Sequence, residues 1–332
     1  MSAVVALQSN GTSDEVDRQL PPRAGERGWT RVQAKLECVA VMRPKVSTAM
    51  TSTLAAIFMV LPTLADSHGT PCKGLQFQVC NSQDYSSGNF KGWDTARVLH
   101  PYSARIVAVK ALSDLGGQVP DSANVVRFEL RHGDRVSDGY RSELKERYNA
   151  KYGATIRYSF SLLIPDNYPI EEDHFDKHGY LHGCIFGQWH DEPNPVRKNG
   201  REPLFANYYI NGDLRIYVKN LMAPRRYDSP NLFYAAYDRA NDPLDKGDLV
   251  GEVKDFAKGT WHSMQYEVKW LPDSSGYLKA WIDNRLVVDY RGPMGYADEV
   301  GSYFKYGVYC KYDVTKPHVA YLGPYLRKVV EQ

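Results

Sequence analysis

Long hydrophobic runs are missing from this chain of 332 residues. No stretch of about 18 or more apolar residues occurs, so no stable membrane insertion through a helix is expected. A surplus of one charge is missing too, with 41 Lys+Arg against 39 Asp+Glu. Without a global basic field nothing points to nucleic acid, and any anion must be held by a local cluster. No long amphipathic helix can be traced. No strand carries an E-x-D-x-x-E spacing that would supply two carboxylates for glycoside hydrolysis. Cysteine is sparse, with five in all.

What the chain has in quantity is aromatic side chains, with 24 Tyr, 11 Phe and 6 Trp. Tyrosine is favoured in strands and on wet binding surfaces. Residues 66–120 are loop-rich, with one short strand expected over 105–111. Alternating strands are predicted over 124–131, 140–145, 155–164, 183–190, 261–270, 276–282, 285–290, 303–310 and 318–322. Residues 206–219 read as a hairpin through Asn211-Gly212, a type I′ turn signal, and Asp283-Asn284 turns a second pair. Short helices are expected near 143–150 and 296–300. The sum is all-β: an antiparallel β-sandwich, a β-jelly roll of concanavalin A-like type. Charged residues on its strand faces need water or an anion, so one sheet is expected to present an open, polar, concave face.

The first 65 residues do not read as part of that fold. Residues 1–41 are mixed and polar, an upstream extension. Met42-Arg43-Pro44-Lys45 is a basic start, residues 53–61 an apolar run, and Thr63-Leu64-Ala65 a cleavage grammar. Residues 42–65 are therefore expected to be a secretory signal peptide, and the product secreted or periplasmic. Removing 1–65, with 7 Lys+Arg and 5 Asp+Glu, leaves 34 of each in residues 66–332. Cys72, Cys80, Cys184 and Cys310 remain, an even number that permits disulfides. Cys72 and Cys80 can close a small loop. By alternation Cys184 shares a face with Gln188 and Cys310 lies opposite Tyr309, so this pair meets only if a bulge intervenes.

Residues 303–310 organise the chain. Tyr303, Lys305 and Tyr309 share one strand face, with Gly307 between the last two; Phe304, Tyr306 and Val308 share the other. Gly307 is expected to leave room for a ligand to approach the backbone. Two further stretches carry chemistry: Arg141-Ser142-Glu143-Leu144, and Gln188-Trp189-His190 with Trp189 turned to the core. Brought into one cleft, these groups suit β-elimination on a uronic-acid polysaccharide. Arg141 by charge and Gln188 by its amide would neutralise the sugar carboxylate and so stabilise an enolate-like transition state. His190 titrates near neutrality and is a natural base. Tyr309 can protonate the departing O4, and beside a cation such as Lys305 it could serve as the base as well.

The three motifs, in this order, resemble the motif set of jelly-roll polysaccharide lyases. The surrounding sequence is similar to the heparin lyase I-like group and the glucuronan lyases: residues 126–134, with Arg127, Glu129 and Arg131, match an early R-F-E-x-R-x-G-D pattern. The resemblance spans roughly residues 90–325. It implies that Gln188 and Arg141 hold the uronate carboxylate, that His190 and Tyr309 move the protons, and that Lys305 supports the acidic chain. Arg127, Arg131, Glu143 and Tyr303 join the substrate-binding set. Tyr306 stands where a small residue is common before the motif glycine, and Cys310-Lys311 where alginate lyases often carry Asn-Gln. The expected partner is an acidic polysaccharide, glucuronan, heparin-like or alginate, and the expected state a monomer. A non-catalytic glycan-binding sandwich would use the same face without turnover. No cofactor or metal is required. His174, His178 and His182 stand four apart, but Gly179 argues against the helix that would align them. The acidic residues 171–176 could bind Ca²⁺ but lack ligand spacing.

Overall fold

Alternation of apolar and polar side chains commits most of this chain to strands that bury one face. The structure, a computed structural model, describes Cys72 and residues 79–112, 116–137, 139–170, 183–193, 203–219, 248–295 and 299–331. The segment expected to be a signal peptide, the three spaced histidines and the acidic residues 171–176 lie outside these. The strands are β1 (Cys80–Gln83), β2 (Trp93–Arg97), β3 (Ala104–Ala108), β4 (Gly116–Gly117), β5 (Asn124–Leu130), β6 (Arg135–Val136), β7 (Gly139–Glu146), β8 (Thr155–Leu163) and β9 (Cys184–Pro193). They continue as β10 (Phe205–Ile210), β11 (Asp213–Val218), β12 (Asp248–Val253), β13 (Thr260–Lys269), β14 (Tyr277–Ile282), β15 (Arg285–Arg291), β16 (Glu299–Cys310) and β17 (His318–Glu331).

Two sheets result. One runs β15-β14-β13-β8-β17-β5-β3, with β1 against β17 and β4 against β13. The other runs β12-β11-β10-β9-β16-β7-β2, with β6 against β7. All pairs are antiparallel except the short β4–β13 contact. This is the expected β-sandwich of jelly-roll type. Both turn signals hold: Asn211 and Gly212 sit at φ 51° and 90°, and Asp283 and Asn284 at 51° and 63°, the left-handed conformations a type I′ turn demands.

The core between the sheets is largely aromatic. Trp189 stacks on Phe205 at 4.0 Å, Trp93 on Tyr306 at 5.3 Å and Phe304 on Tyr325 at 5.5 Å. One ion pair is buried among them. Arg327 of β17 donates from Nε to Glu146 of β7 at 2.9 Å, and Glu146 also accepts from Asn81 at 3.0 Å and Tyr325 at 2.9 Å.

Three expectations need correction. No α-helix occurs among the described residues, only a 3-10 turn over Val109–Leu112. Residues 143–146 continue β7 instead, because Leu144 and Glu146 are buried as neighbouring positions turn to the other face. Of residues 296–300, Glu299 already begins β16. The third concerns one strand face, since Cys184 does not share the face of Gln188. Cys72–Cys80 and Cys184–Cys310 are both disulfides. Register shifts fall on both sides of β9 near Gly187, between Asn207 and Tyr208 and between Tyr306 and Tyr309. The irregularity turns Phe186 and Cys184 to the core while Gln188 stays on the other face, so Cys184 meets Cys310 as its register partner. A bulge does this by inserting one unmatched residue.

Candidate active site

Three adjacent strands, β7, β16 and β9, carry the three motifs side by side. Tyr309 pairs with Arg141, Gly307 with Glu143 and Lys305 with Lys145 on one flank of β16. Lys305 pairs with Gln188 and Tyr303 with His190 on the other. Phe304, Tyr306, Val308 and Cys310 face the core. Alternation therefore leaves Tyr303, Lys305 and Tyr309 on the opposite face with Arg141, Glu143, Gln188 and His190.

These groups form one polar chain. Arg141 Nη1 lies 3.5 Å from Glu143 Oε2. Gln188 Nε2 donates to Glu143 Oε1, which fixes the amide and turns its carbonyl to His190. His190 Nε2 lies 2.9 Å from Gln188 Oε1 and 3.1 Å from Lys305 Nζ. The two contacts cannot both be hydrogen bonds at once. A carbonyl oxygen needs Nε2 to carry the proton, whereas an ammonium needs Nε2 bare. Bonded to Gln188, His190 holds its basic lone pair on Nδ1; bonded to Lys305, it holds that pair on Nε2, where it is already engaged. Which partner is chosen thus decides which nitrogen can take a proton.

Tyr309 lies under the Arg141 guanidinium, 4.2 Å from ring centroid to Cζ. Its ring packs on Ile185, Ala206 and Tyr208. A cation over the ring favours negative charge growing on the phenol oxygen. Tyr303 stacks on His190 at 5.7 Å and carries the Lys145 ammonium 3.8 Å from its ring centroid. Burial pushes the Tyr303 phenol well up, only partly offset by Arg97, so Tyr303 stays neutral. Lys145 also pairs with Glu192 at 3.1 Å.

Not every expected residue comes to this place. Arg127 and Arg131 belong to β5 and the residue just after it, in the other sheet, where both bond Glu129. Gln188 is on the expected face but fully buried, beneath the other side chains. Gly307 leaves no gap for a ligand. A Cβ there would stand 2.2 Å from the Ser142 carbonyl oxygen, and its φ is 148°, so the space is taken by β7 itself. Two contributors went unnoticed in the sequence. Lys145 is the next same-face position after Glu143, and extending the alternation by one step finds it. Gly139 makes room for the Tyr309 ring, since a Cβ there would lie 2.3 Å from Tyr309 Cε2; no local signal in the sequence marks it. Among the described residues, Cys184, Cys310 and His318 are close enough to share a cation, but both sulfurs are committed to the disulfide.

A family model described as polysaccharide lyase matches residues 85–323. Curated proteins give no match. Among solved structures, the chain is similar to an endo-β-1,4-glucuronan lyase from the fungus Trichoderma reesei, at 15% identity and a TM-score of 0.52, covering 76% of this chain and 94% of that one. The alginate lyase AlyC3 gives 15% identity, a TM-score of 0.45 and coverage of 62% and 75%. The alginate lyase A1-II′ gives 14%, 0.45, and coverage of 79% and 99%.

Proposed function

The chain belongs to the polysaccharide lyase family, and from that premise we propose that it cleaves a uronic-acid-containing polysaccharide by β-elimination. One observation carries the reading: a histidine, a tyrosine, an arginine and a lysine share one face of three neighbouring strands, joined through Glu143 and Gln188.

Arg141 neutralises the uronate carboxylate, which acidifies the C5 proton. Gln188, expected as the second donor for that carboxylate, donates from its amide to Glu143 instead. Its burial makes its grip on His190 the part of its role that the geometry favours. His190 removes the C5 proton, the C5–H electron pair becomes a C4=C5 double bond, and the C4–O4 bond breaks. Tyr309 gives its proton to O4. The balance is complete without water: one chain gains an unsaturated uronate end, the other a hydroxyl. In a variant of this scheme, Tyr309 serves as both acid and base, an arrangement supported by the Arg141 guanidinium over its ring.

Glucuronan, heparin-like chains and alginate all offer the required carboxylate. Incubation with a panel of these should raise ultraviolet absorbance as the conjugated product forms. Cleavage without that absorbance, or binding without cleavage, would overturn the proposal. Two disulfides suit an oxidising compartment, in keeping with export, secreted or periplasmic, through a signal peptide over 42–65 after an extension over 1–41. N-terminal sequencing of the exported protein should then begin near Asp66, and a product retaining residues 1–41 would refute it. A monomer is the form proposed to be active.

A further inference from the structure

We propose that the outer face of β3 and β5, on the sheet that does not carry the cleft, is a second docking site for the carboxylated polysaccharide. The inference rests on the reading that the substrate is a polyuronate.

Arg105 of β3 and Arg127 of β5 are direct cross-strand partners. Like charges placed directly opposite destabilise a sheet. Here they converge with Arg131 on a single carboxylate. Glu129 accepts from Arg127 and, at 2.7 Å, from Arg131 Nε, and Arg105 Nη2 stands 3.8 Å away. Burial pushes the Glu129 carboxyl up, but the bonds from Arg131 and Arg127 outweigh it and hold the group below the usual carboxylate range. Glu129 is thus a charged anchor. It offsets one positive charge of the three, and Asp134, which accepts from Tyr102 and from the Arg131 backbone N–H, offsets a second; with Lys316 beside them a local surplus remains in a chain with almost none overall. One carboxylate accepts about four hydrogen bonds, against about five N–H donors on each guanidinium.

The anchor is buried, and two of the three cations are not, Arg127 being the more covered one at 18%. Glu129 is 4% exposed, whereas the Arg105 and Arg131 side chains are 51% and 47% exposed. Beside them a depression is lined by Arg127, Glu129, Asn167 and Lys316, and Lys316 is exposed. Arg131 lies over the Tyr102 ring at 3.8 Å, so its planar fork is held in place. Arg127 and Arg131 both close on Glu129 with Arg105 beside them, so the three guanidinium heads gather at one point. A cluster of pre-set forks over a buried carboxylate, with Lys316 beside it, suits recognition of a sugar carboxylate. Its use would be to keep a polymer on the enzyme between cuts.

The test uses Arg105→Gln/Lys316→Gln, which leaves the Arg127 and Arg131 bonds to Glu129 in place and so spares folding. Arg105→Glu is the second variant. Binding is read by affinity electrophoresis in polyglucuronate gels, with Tyr309→Phe added to prevent turnover and a neutral β-glucan gel as control. Retardation should weaken about 3–10-fold and lose much of its salt sensitivity. Turnover of a short oligosaccharide, measured with Tyr309 restored, should be unchanged while KM on polymer rises. Unchanged retardation and polymer KM in both variants would overturn the docking site. The lyase reading fails separately, through absence of unsaturated product, because retardation needs no chemistry.

Discussion

Gly139→Ala isolates the placement of Tyr309 from its chemistry. The new methyl would stand 2.3 Å from Cε2 and 2.9 Å from Oη of Tyr309. An ordinary carbon contact needs about 3.5 Å, so the ring must move by about 1 Å. The phenol sits in a fixed slot, with Arg141 above and Ile185, Ala206 and Tyr208 around it, and must leave its alignment with the cation. A misplacement of about 1 Å costs on the order of 10²-fold in rate, or about 2.7 kcal/mol in transition-state energy. Global stability should fall less, because the side chain that moves lies outside the main core cluster. Initial rates of unsaturated-product formation on purified Gly139→Ala, with its melting curve beside them, give both numbers. In the Tyr309→Phe background the same substitution should cost little further activity, since the oxygen it displaces is already gone. A folded Gly139→Ala protein with wild-type turnover would refute the argument that this slot positions the acid.

Tyr309→Phe should lower turnover by about 10²–10⁴-fold with polymer binding kept, and His190→Ala comparably if His190 is the base; a mild His190→Ala effect beside a severe Tyr309→Phe would assign both proton transfers to Tyr309, and a normal rate in Tyr309→Phe would remove it from the mechanism. Gly307→Ala sets a methyl 2.2 Å from the Ser142 oxygen at a φ of 148°, so strain and overpacking together should cost about 2–4 kcal/mol; an unchanged melting temperature would show that β16 and β7 part freely. Glu129 has a folded-state carboxyl below its ordinary value, so its stabilisation is complete above the unfolded value of about 4.3 and is lost as pH falls through the lower folded one. The melting temperature of the wild type should therefore fall more steeply below about pH 4 than that of Glu129→Gln, and parallel profiles would count against it.

Alternation along residues 303–310 was enough to place six side chains on their faces. It worked because β16 stays regular against β7 from Lys305 to Cys310. The same rule failed on β9, where register shifts at Gly187 reverse the faces of Phe186 and Cys184. A bulge is a property of pairing and leaves no mark in a strand's own alternation. Arg127 and Arg141 show a second limit. They are close in sequence and both lie on polar faces, yet their strands join opposite sheets. Sheet membership depends on which distant strand each one pairs with, here β17 and β16. The Gly307 reading failed for a related cause: a missing side chain signals close approach, but does not say of what.

The Arg327–Glu146 pair gives the sandwich a coupling that apolar contacts alone would not. Its two members come from different sheets and are both fully enclosed. An intermediate with the two sheets docked one position out of place would shut a charge away without its counterpart, at a cost of about 3–5 kcal/mol. Loose hydrophobic docking tolerates many relative positions; a single interior charge tolerates one. The pair thus acts against misdocked states. It binds the cleft sheet and its backing sheet into one cooperative event, so that the alignment of β7, β16 and β9 is inherited from the completed whole.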